Sequence, residues 1–305
     1  MKQKLAVVVS GWHFPIKFYE QIKAQKIPEN WEIDYFCVAH RIPDDVEEEK
    51  AKIISQLGDG DLETLDKILY TNTVSVEWLS NNGWIYTLEP NNCGDWAVTN
   101  QWLEKNPNYK EYDTLLLTHD DNFIIGDELF LNVLENRFET LFRNDYSMND
   151  LPEFRHAKPG DYSEASADDW LILSNAIVNN TGKVRGSFDF FKTSLIETMG
   201  GDFDMNGVTL DRTGKDDNMG MEYYGGGYPE GGLSMKDWEK PIQNFHGFMI
   251  ENNLLDKIRY LSPTYRISNY CLEGERGLLS NRATPQGSIY YSTFQQFKDA
   301  GLIDV

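Results

Sequence analysis

The apolar positions of the chain alternate between short unbroken runs and helical spacing. Leu5 to Ser10 is a continuous, β-branched run stopped by Gly11, the pattern of a strand buried on both faces of a parallel sheet. Pro15 then opens a helix that runs through Lys23. Trp31 to Ala39 predicts a second strand, and Pro43-Asp44-Asp45 leads into a charged helical stretch ending at Gln56. Asp61 to Tyr70 and Val74 to Asn82 read as helices, the second closed by Gly83, and Trp84 to Leu88 reads as a third strand. Asp95 to Lys105 spaces its tryptophans as a helix would and stops at Asn106-Pro107; Thr114 to Thr118 is the fourth strand.

Further on the signals weaken. Tyr146 to Asp169 is polar and broken by Pro152, Pro159 and Gly160, which predicts a long surface excursion. Trp170 to Ser174 and Val184 to Phe191 read as strands, Lys192 to Met199 as a helix stopped by Gly200-Gly201. The chain is then too rich in Gly, Asp and Asn for regular structure up to Gly232. A final amphipathic helix is expected near Ser292 to Ala300. Alternating strands and helices predict an α/β fold, a mostly parallel sheet covered on both faces, with its ligand crevice at the carboxyl ends of the strands.

Charge narrows the partners. With 49 acidic and 28 basic residues among 305, the chain carries a formal charge of -21, which repels nucleic acid and anionic membrane surfaces. An acidic protein that handles a polyanionic nucleotide needs a local cation, and a divalent metal held by carboxylates is the usual device. Cys37, Cys93 and Cys271 are too far apart for a CxxC site or a disulfide framework, and the apolar run after Met1-Lys2-Gln3-Lys4 is too short to cross a membrane. These features predict a cytoplasmic protein without a transmembrane segment.

The strongest chemical signal is Leu115-Leu116-Leu117-Thr118-His119-Asp120-Asp121-Asn122, an apolar strand ending in two carboxylates and an amide at the crevice edge. Such a pair suits a hard cation carrying a diphosphate; a turn capped by Asp and Asn would have the same sequence. At the ends of the first and second strands, Ser10-Gly11-Trp12 and Arg41 fall where a nucleoside would sit, Trp12 able to stack on a base and Arg41 to meet phosphate. The ring of Trp12 could equally be core.

The order Asn92-Cys93-Gly94-Asp95-Trp96-Ala97-Val98-Thr99-Asn100, then a strand, then Asp120-Asp121, resembles the Asn-x-Gly-x-x-x-Ala-x-Asn to Asp-x-Asp arrangement of GT-A glycosyltransferases of the family 2 type. A second block, Arg185 to Lys192 followed by Leu195 to Asp204 with Gly200-Gly201-Asp202-Phe203-Asp204, is similar to that family's acceptor side. The usual Asp-Asp-Gly-Ser after the second strand is replaced by Ala39-His40-Arg41-Ile42-Pro43.

The resemblance implies a GT-A fold over residues 1–250, a nucleotide-sugar half (1–125) and an acceptor half (126–250), with a C-terminal extension over 251–305. It implies transfer of a sugar from a nucleoside-diphosphate sugar to a carbohydrate or glycoconjugate hydroxyl, inverting in the family 2 pattern, although an acidic pair, a later His and a metal occur in retaining enzymes as well. Mn²⁺ or Mg²⁺ would be held by Asp120, Asp121 and His246. Asn92, Gly94, Asn100 and Asp120 would lie on the donor, Gly186, Glu222 and Tyr224 on the acceptor, and Asp217 or Asp216 would be the base. Tyr223 to Gly232, with its glycines and Tyr rings, would suit a lid. A nucleotidyltransferase of related fold lacks support because no Gly-rich basic loop follows the first strand. A non-catalytic carbohydrate-binding protein is the other alternative.

Overall fold

A computed structural model of the chain describes residues 2–46, 72–90, 94–120, 122–124, 126–137, 170–174, 177–178, 183–184, 188–208, 235–260 and 267–269. The sequence-predicted helices over 47–56 and 61–70, the excursion over 146–169, the Gly-rich loop between 209 and 232 and the helix near 292–300 lie outside these residues.

The apolar runs become a seven-stranded sheet. β1 (Gln3–Gly11), β2 (Trp31–Ala39) and β3 (Trp84–Leu88) pair in parallel, and β4 (Thr114–His119) pairs in parallel with the other edge of β1. β5 (Asn122–Ile124) leaves the sheet to pair with the distant β11 (Ile267–Asn269), and β7 (Ile177–Val178) pairs with β8 (Lys183–Val184). β6 (Ile172–Ser174), β9 (Phe188–Lys192) and β10 (Ile258–Tyr260) complete the sheet in the order β10-β6-β9-β4-β1-β2-β3. β9 is antiparallel to both its neighbours, so the sheet is mixed and mostly parallel. β10 lies beyond residue 250 and is nonetheless hydrogen-bonded into the same sheet as β1.

Helices cover both faces, as the continuous hydrophobicity of β1 and β4 requires. On one face, Leu5, Val7, Val9, Leu116, Phe188 and Phe190 meet Phe18, Tyr19 and Ile22 of α1 (Ile16–Lys23). α2 (Val76–Asn81), whose N-cap Ser75 accepts the Trp78 N–H, adds Leu79 there, and α4 (Leu129–Leu134) adds Phe130 and Val133. On the other face, Ala6, Val8, Leu115, Ile172 and Phe191 meet α3 (Gly94–Lys105), α5 (Thr193–Thr198) and α6 (Met235–Glu251). α6 was not legible as a helix in the sequence: Pro241 and the Gly-rich run before it mask the spacing of Ile242, Phe245 and Met249, which all face this core.

The turn after α5 is gripped from two helices. Asn100 of α3 donates from its amide nitrogen to the Phe203 carbonyl (2.8 Å) and accepts the Phe203 N–H (2.8 Å). Asn244 of α6 donates to the carbonyls of Asp204 and Asn206, each at 2.9 Å. Between them the Phe203 ring is packed against Trp96, Phe191 and Phe245. The Asn100 amide, expected on the donor, is thus occupied inside the fold, where it serves the Phe203 main chain as a neighbouring strand would.

Replacing Asn100 by Ala leaves the N–H and C=O of Phe203 without this partner and is expected to cost about 1–3 kcal/mol, and Asn100→Asp, which keeps the acceptor but sets a carboxylate oxygen against the Phe203 carbonyl, should cost at least as much. Phe203→Ala should cost about 3–5 kcal/mol. Urea unfolding of the three variants against the parent protein measures both.

Candidate functional site

The strand order turns between β1 and β4: the chain goes from β1 to β2 and β3 on one side and returns to β4 on the other. In an open α/β sheet the crevice outside the carboxyl ends of the strands at such a point is where ligands bind. Register places Ser10 beside His119 there, so the loop after β1 and the residues after β4 face one another across the switch point.

The loop after β1 wraps around the side chain of Asp120. The N–H groups of Trp12 (2.8 Å), His13 (3.0 Å) and Phe14 (2.6 Å) all donate to Oδ2 of Asp120, and His13 N–H also lies 3.1 Å from Oδ1. The Tyr19 hydroxyl of α1 stands 3.4 Å from the same Oδ2 and 3.5 Å from Cys37 Sγ. Asp120 is 1% exposed. Phe14 pays for the tight loop with a left-handed φ of 57°, unusual for a bulky residue, and its ring is fully buried. Gly11 is needed beneath that ring: a Cβ there would lie 2.7 Å from Phe14 Cε1 and 2.9 Å from Cys37 Sγ. Its lack of a side chain therefore serves packing at the strand end.

Burial pushes the Asp120 carboxyl above the usual carboxylate range, while the N–H groups of Phe14, Trp12 and His13 and the charge of Arg41 pull it back. Donors converging on Oδ2, with the His13 N–H also near Oδ1, favour the ionised carboxylate against that burial. His13 is held neutral, its pKa lowered to about 3 by burial and then by the neighbouring Arg41 and His119 charges. Burial raises the Cys37 thiol, so it is an inert core residue, as its position in the first core face also requires.

The ends of β1, β2 and β3 form one tied rim. Arg41 donates from Nε to the Trp12 carbonyl (2.8 Å) and lies over the Trp12 ring, 4.7 Å from its centroid. The Tyr86 hydroxyl of β3 donates to the Arg41 carbonyl (3.1 Å), and His40 Nδ1 lies 3.1 Å from the Glu89 carbonyl oxygen. The Glu89 side chain is buried against Lys105 of α3, and Gln101 of the same helix donates to the Pro90 carbonyl (2.8 Å). Ser10, Trp12, His40, Arg41 and His119 remain half-buried at this rim.

The structure thus brings Ser10, Gly11, Trp12, Arg41 and Asp120 together. Gly94 opens α3, while Asn92, Asp121, Gly186, Asp216, Asp217, Glu222 and Tyr224 lie outside the described residues. Asn122 is buried and turned back on β4, its amide nitrogen 3.2 Å from the His119 carbonyl and 3.3 Å from Thr118 Oγ1. His246 sits on α6, which packs on the opposite face of the sheet from α1, whereas the Asp120 carboxylate meets α1. Among the described residues no three His, Cys, Asp or Glu side chains come together as a metal site, and Oδ2 of Asp120 faces N–H dipoles that a cation would oppose. Asp121, the third residue of the expected metal set, lies outside the described residues. Two residues of the site had no local signal: Tyr19, whose hydroxyl reaches Asp120 only through the fold, and Glu89, buried by α3. Asp189 is likewise fully buried on β9, beside Leu117 and Ser174 in register, where its sequence reads as plain strand.

No protein-family model matches the chain, and no curated protein does. Among solved structures, the crystal structure of residues 1–349 of S. aureus TarS is 12% identical, covers 66% of this chain and 50% of its own, with a TM-score of 0.37. The same fragment in complex with UDP has a TM-score of 0.35 at the same identity and coverage. The chain thus spans half the length of those structures. A putative glucose-1-phosphate thymidylyltransferase from Bacillus anthracis, in complex with sucrose, is 10% identical over 87% of this chain and 89% of its own (TM-score 0.30). The glycosyltransferase GlyE of Streptococcus pneumoniae is 8% identical over 100% of this chain and 65% of its own (TM-score 0.29). No helix among the described residues is long and apolar enough to cross a membrane.

His13 binds a proton in the unfolded chain below its ordinary pKa of 6.5 but not in the folded one until about pH 3. The unfolded state binds more protons across that window, so this group makes stability rise with pH, by about 1.4 kcal/mol per pH unit where one proton differs. His13→Gln should carry a fixed packing cost at pH 7.5 that shrinks relative to the parent as pH falls to 5. Urea unfolding at several pH values measures the difference.

Proposed function

We propose that the chain is a nucleotide-sugar transferase whose donor nucleotide binds at the β1/β4 switch point. The observation that carries this reading is the Arg41 guanidinium stacked on Trp12 at that point, a half-buried cation and ring side by side in an otherwise acidic protein. A guanidinium pairs with phosphate oxygens bidentately, and an indole gives a base or sugar a flat apolar face. The order of motifs from Asn92 to Asp204 supports a GT-A glycosyltransferase as the finer assignment.

In this reading Asp217, or Asp216, takes the proton of the acceptor hydroxyl as the glycosidic bond to the departing nucleoside diphosphate breaks, and Gly186, Glu222 and Tyr224 line the acceptor. A cation on the diphosphate would rest on Asp121, since Asp120 is taken up by the loop. The Arg41 guanidinium is the group that would meet the anionic donor in this reading.

Thermal unfolding with UDP, GDP, TDP and CMP and their sugar conjugates, each with Mn²⁺, Mg²⁺ or EDTA, reads ligand binding directly. One nucleotide is expected to stabilise the protein, and hydrolysis or transfer of its sugar should follow. Arg41→Lys, which keeps the charge but loses the planar fork and the stack, should weaken that nucleotide about tenfold. Stabilisation by free sugars alone would point to a carbohydrate-binding protein, and release of pyrophosphate from a nucleoside triphosphate and a sugar phosphate to a nucleotidyltransferase.

A further inference from the structure

At the switch point of an open α/β sheet, successive N–H groups after the first strand make a concavity suited to an anion. Here that concavity is filled by the chain itself. The N–H groups of Trp12, His13 and Phe14 converge on one oxygen of Asp120, and the Tyr19 hydroxyl approaches the same atom. A divalent cation needs oxygen lone pairs at close range in a near-octahedral shell; donor hydrogens occupy those directions on Oδ2, the His13 N–H also lies 3.1 Å from Oδ1, and Asp120 is buried.

We infer that Asp120 is a positioning residue that builds the Trp12–Arg41 stack through the β1–α1 loop, and not a ligand of a divalent cation. Both main-chain polar groups of Trp12 are fixed: its N–H by Asp120 (2.8 Å) and its carbonyl by Arg41 Nε (2.8 Å). With the peptide held at both ends, the indole lies under the guanidinium. The left-handed φ of Phe14 persists because its N–H is held by Asp120 and its carbonyl accepts the Val74 N–H (2.9 Å). Removing the carboxylate releases that loop and disperses the stack. The anionic part of a ligand here therefore meets the Arg41 side chain, the loop N–H groups being already taken.

The value of the stack to a nucleotide rests on the proposed function, whereas the role of Asp120 in the loop does not. Amide hydrogen exchange of residues 12–14, with Leu115–Leu117 of β4 as internal reference, is compared between the parent protein and Asp120→Asn, and Mn²⁺ affinity of both is measured by electron paramagnetic resonance without nucleotide. Exchange at 12–14 faster by about tenfold or more, with the β4 amides and Mn²⁺ affinity within about twofold, is the expected result. Unchanged exchange at 12–14, or loss of Mn²⁺ binding, overturns the inference. If the variant does not fold, the Asp120 carboxyl carbon resonance of the labelled parent protein is followed during a Mg²⁺ titration: a resonance that stays put supports the inference and one that moves to a saturating shift overturns it. A parent protein that binds no nucleotide would remove the proposed function and leave these readouts intact.

Discussion

The structure depends on one buried charge. A carboxylate withdrawn from water costs several kcal/mol unless its lone pairs are met, and at Asp120 the N–H groups of three successive residues meet them. The exchange works both ways: those N–H groups precede the first turn of α1 and lie too deep to be met by solvent at His13 and Phe14. One side chain thereby closes the loop after β1, ties it to the end of β4 and sets where α1 begins. The Phe14 ring and Gly11 complete the same corner, the ring filling the space that a side chain at Gly11 would need.

Around that corner both faces of the sheet combine apolar packing with side-chain amides that tie the chain. On the α1 face Phe18, Tyr19 and Ile22 pack against β1 and β4, and Gln25 donates to the Gly126 carbonyl (2.8 Å) and accepts the Leu129 N–H (3.1 Å). The α3 face adds directed polar ties: Lys105 and Gln101 hold the chain after β3, and Asn100 and Asn244 hold the turn around Phe203. Such ties between a side-chain amide and main-chain groups specify one arrangement where apolar packing alone would tolerate several. The Asn100 tie joins the first half of the chain to the second across a core of Trp96, Phe191, Phe203 and Phe245.

Much of the first half could be read in the sequence because its elements are long and locally consistent. β2 and β3 occupy the runs expected, Trp31–Ala39 and Trp84–Leu88, and α3 and β4 differ by a single residue at one end. In the second half the strands are short: β6 is three residues, and β9 and β8 come from a stretch that reads as a single strand. The edge strand β10 carries no such run, since its pairing with β6 rather than its own pattern makes it a strand. Trp12 and Arg41 were legible as candidates because they follow strands, and the fold does bring them into contact.

The sequence by itself determined the class of fold and the residue types that follow its strands, because hydrophobic period and strand ends are local properties of the chain. Only the tertiary structure decided what those residues do. Asp120 and Asn100 have the composition of ligand-binding groups, yet each is turned inward to main-chain partners about a hundred residues away in sequence. Whether a carboxylate or amide faces a ligand or a loop depends on which unpaired N–H and C=O groups the fold brings to it. That accounting is settled between distant segments, at a range where local pattern is silent.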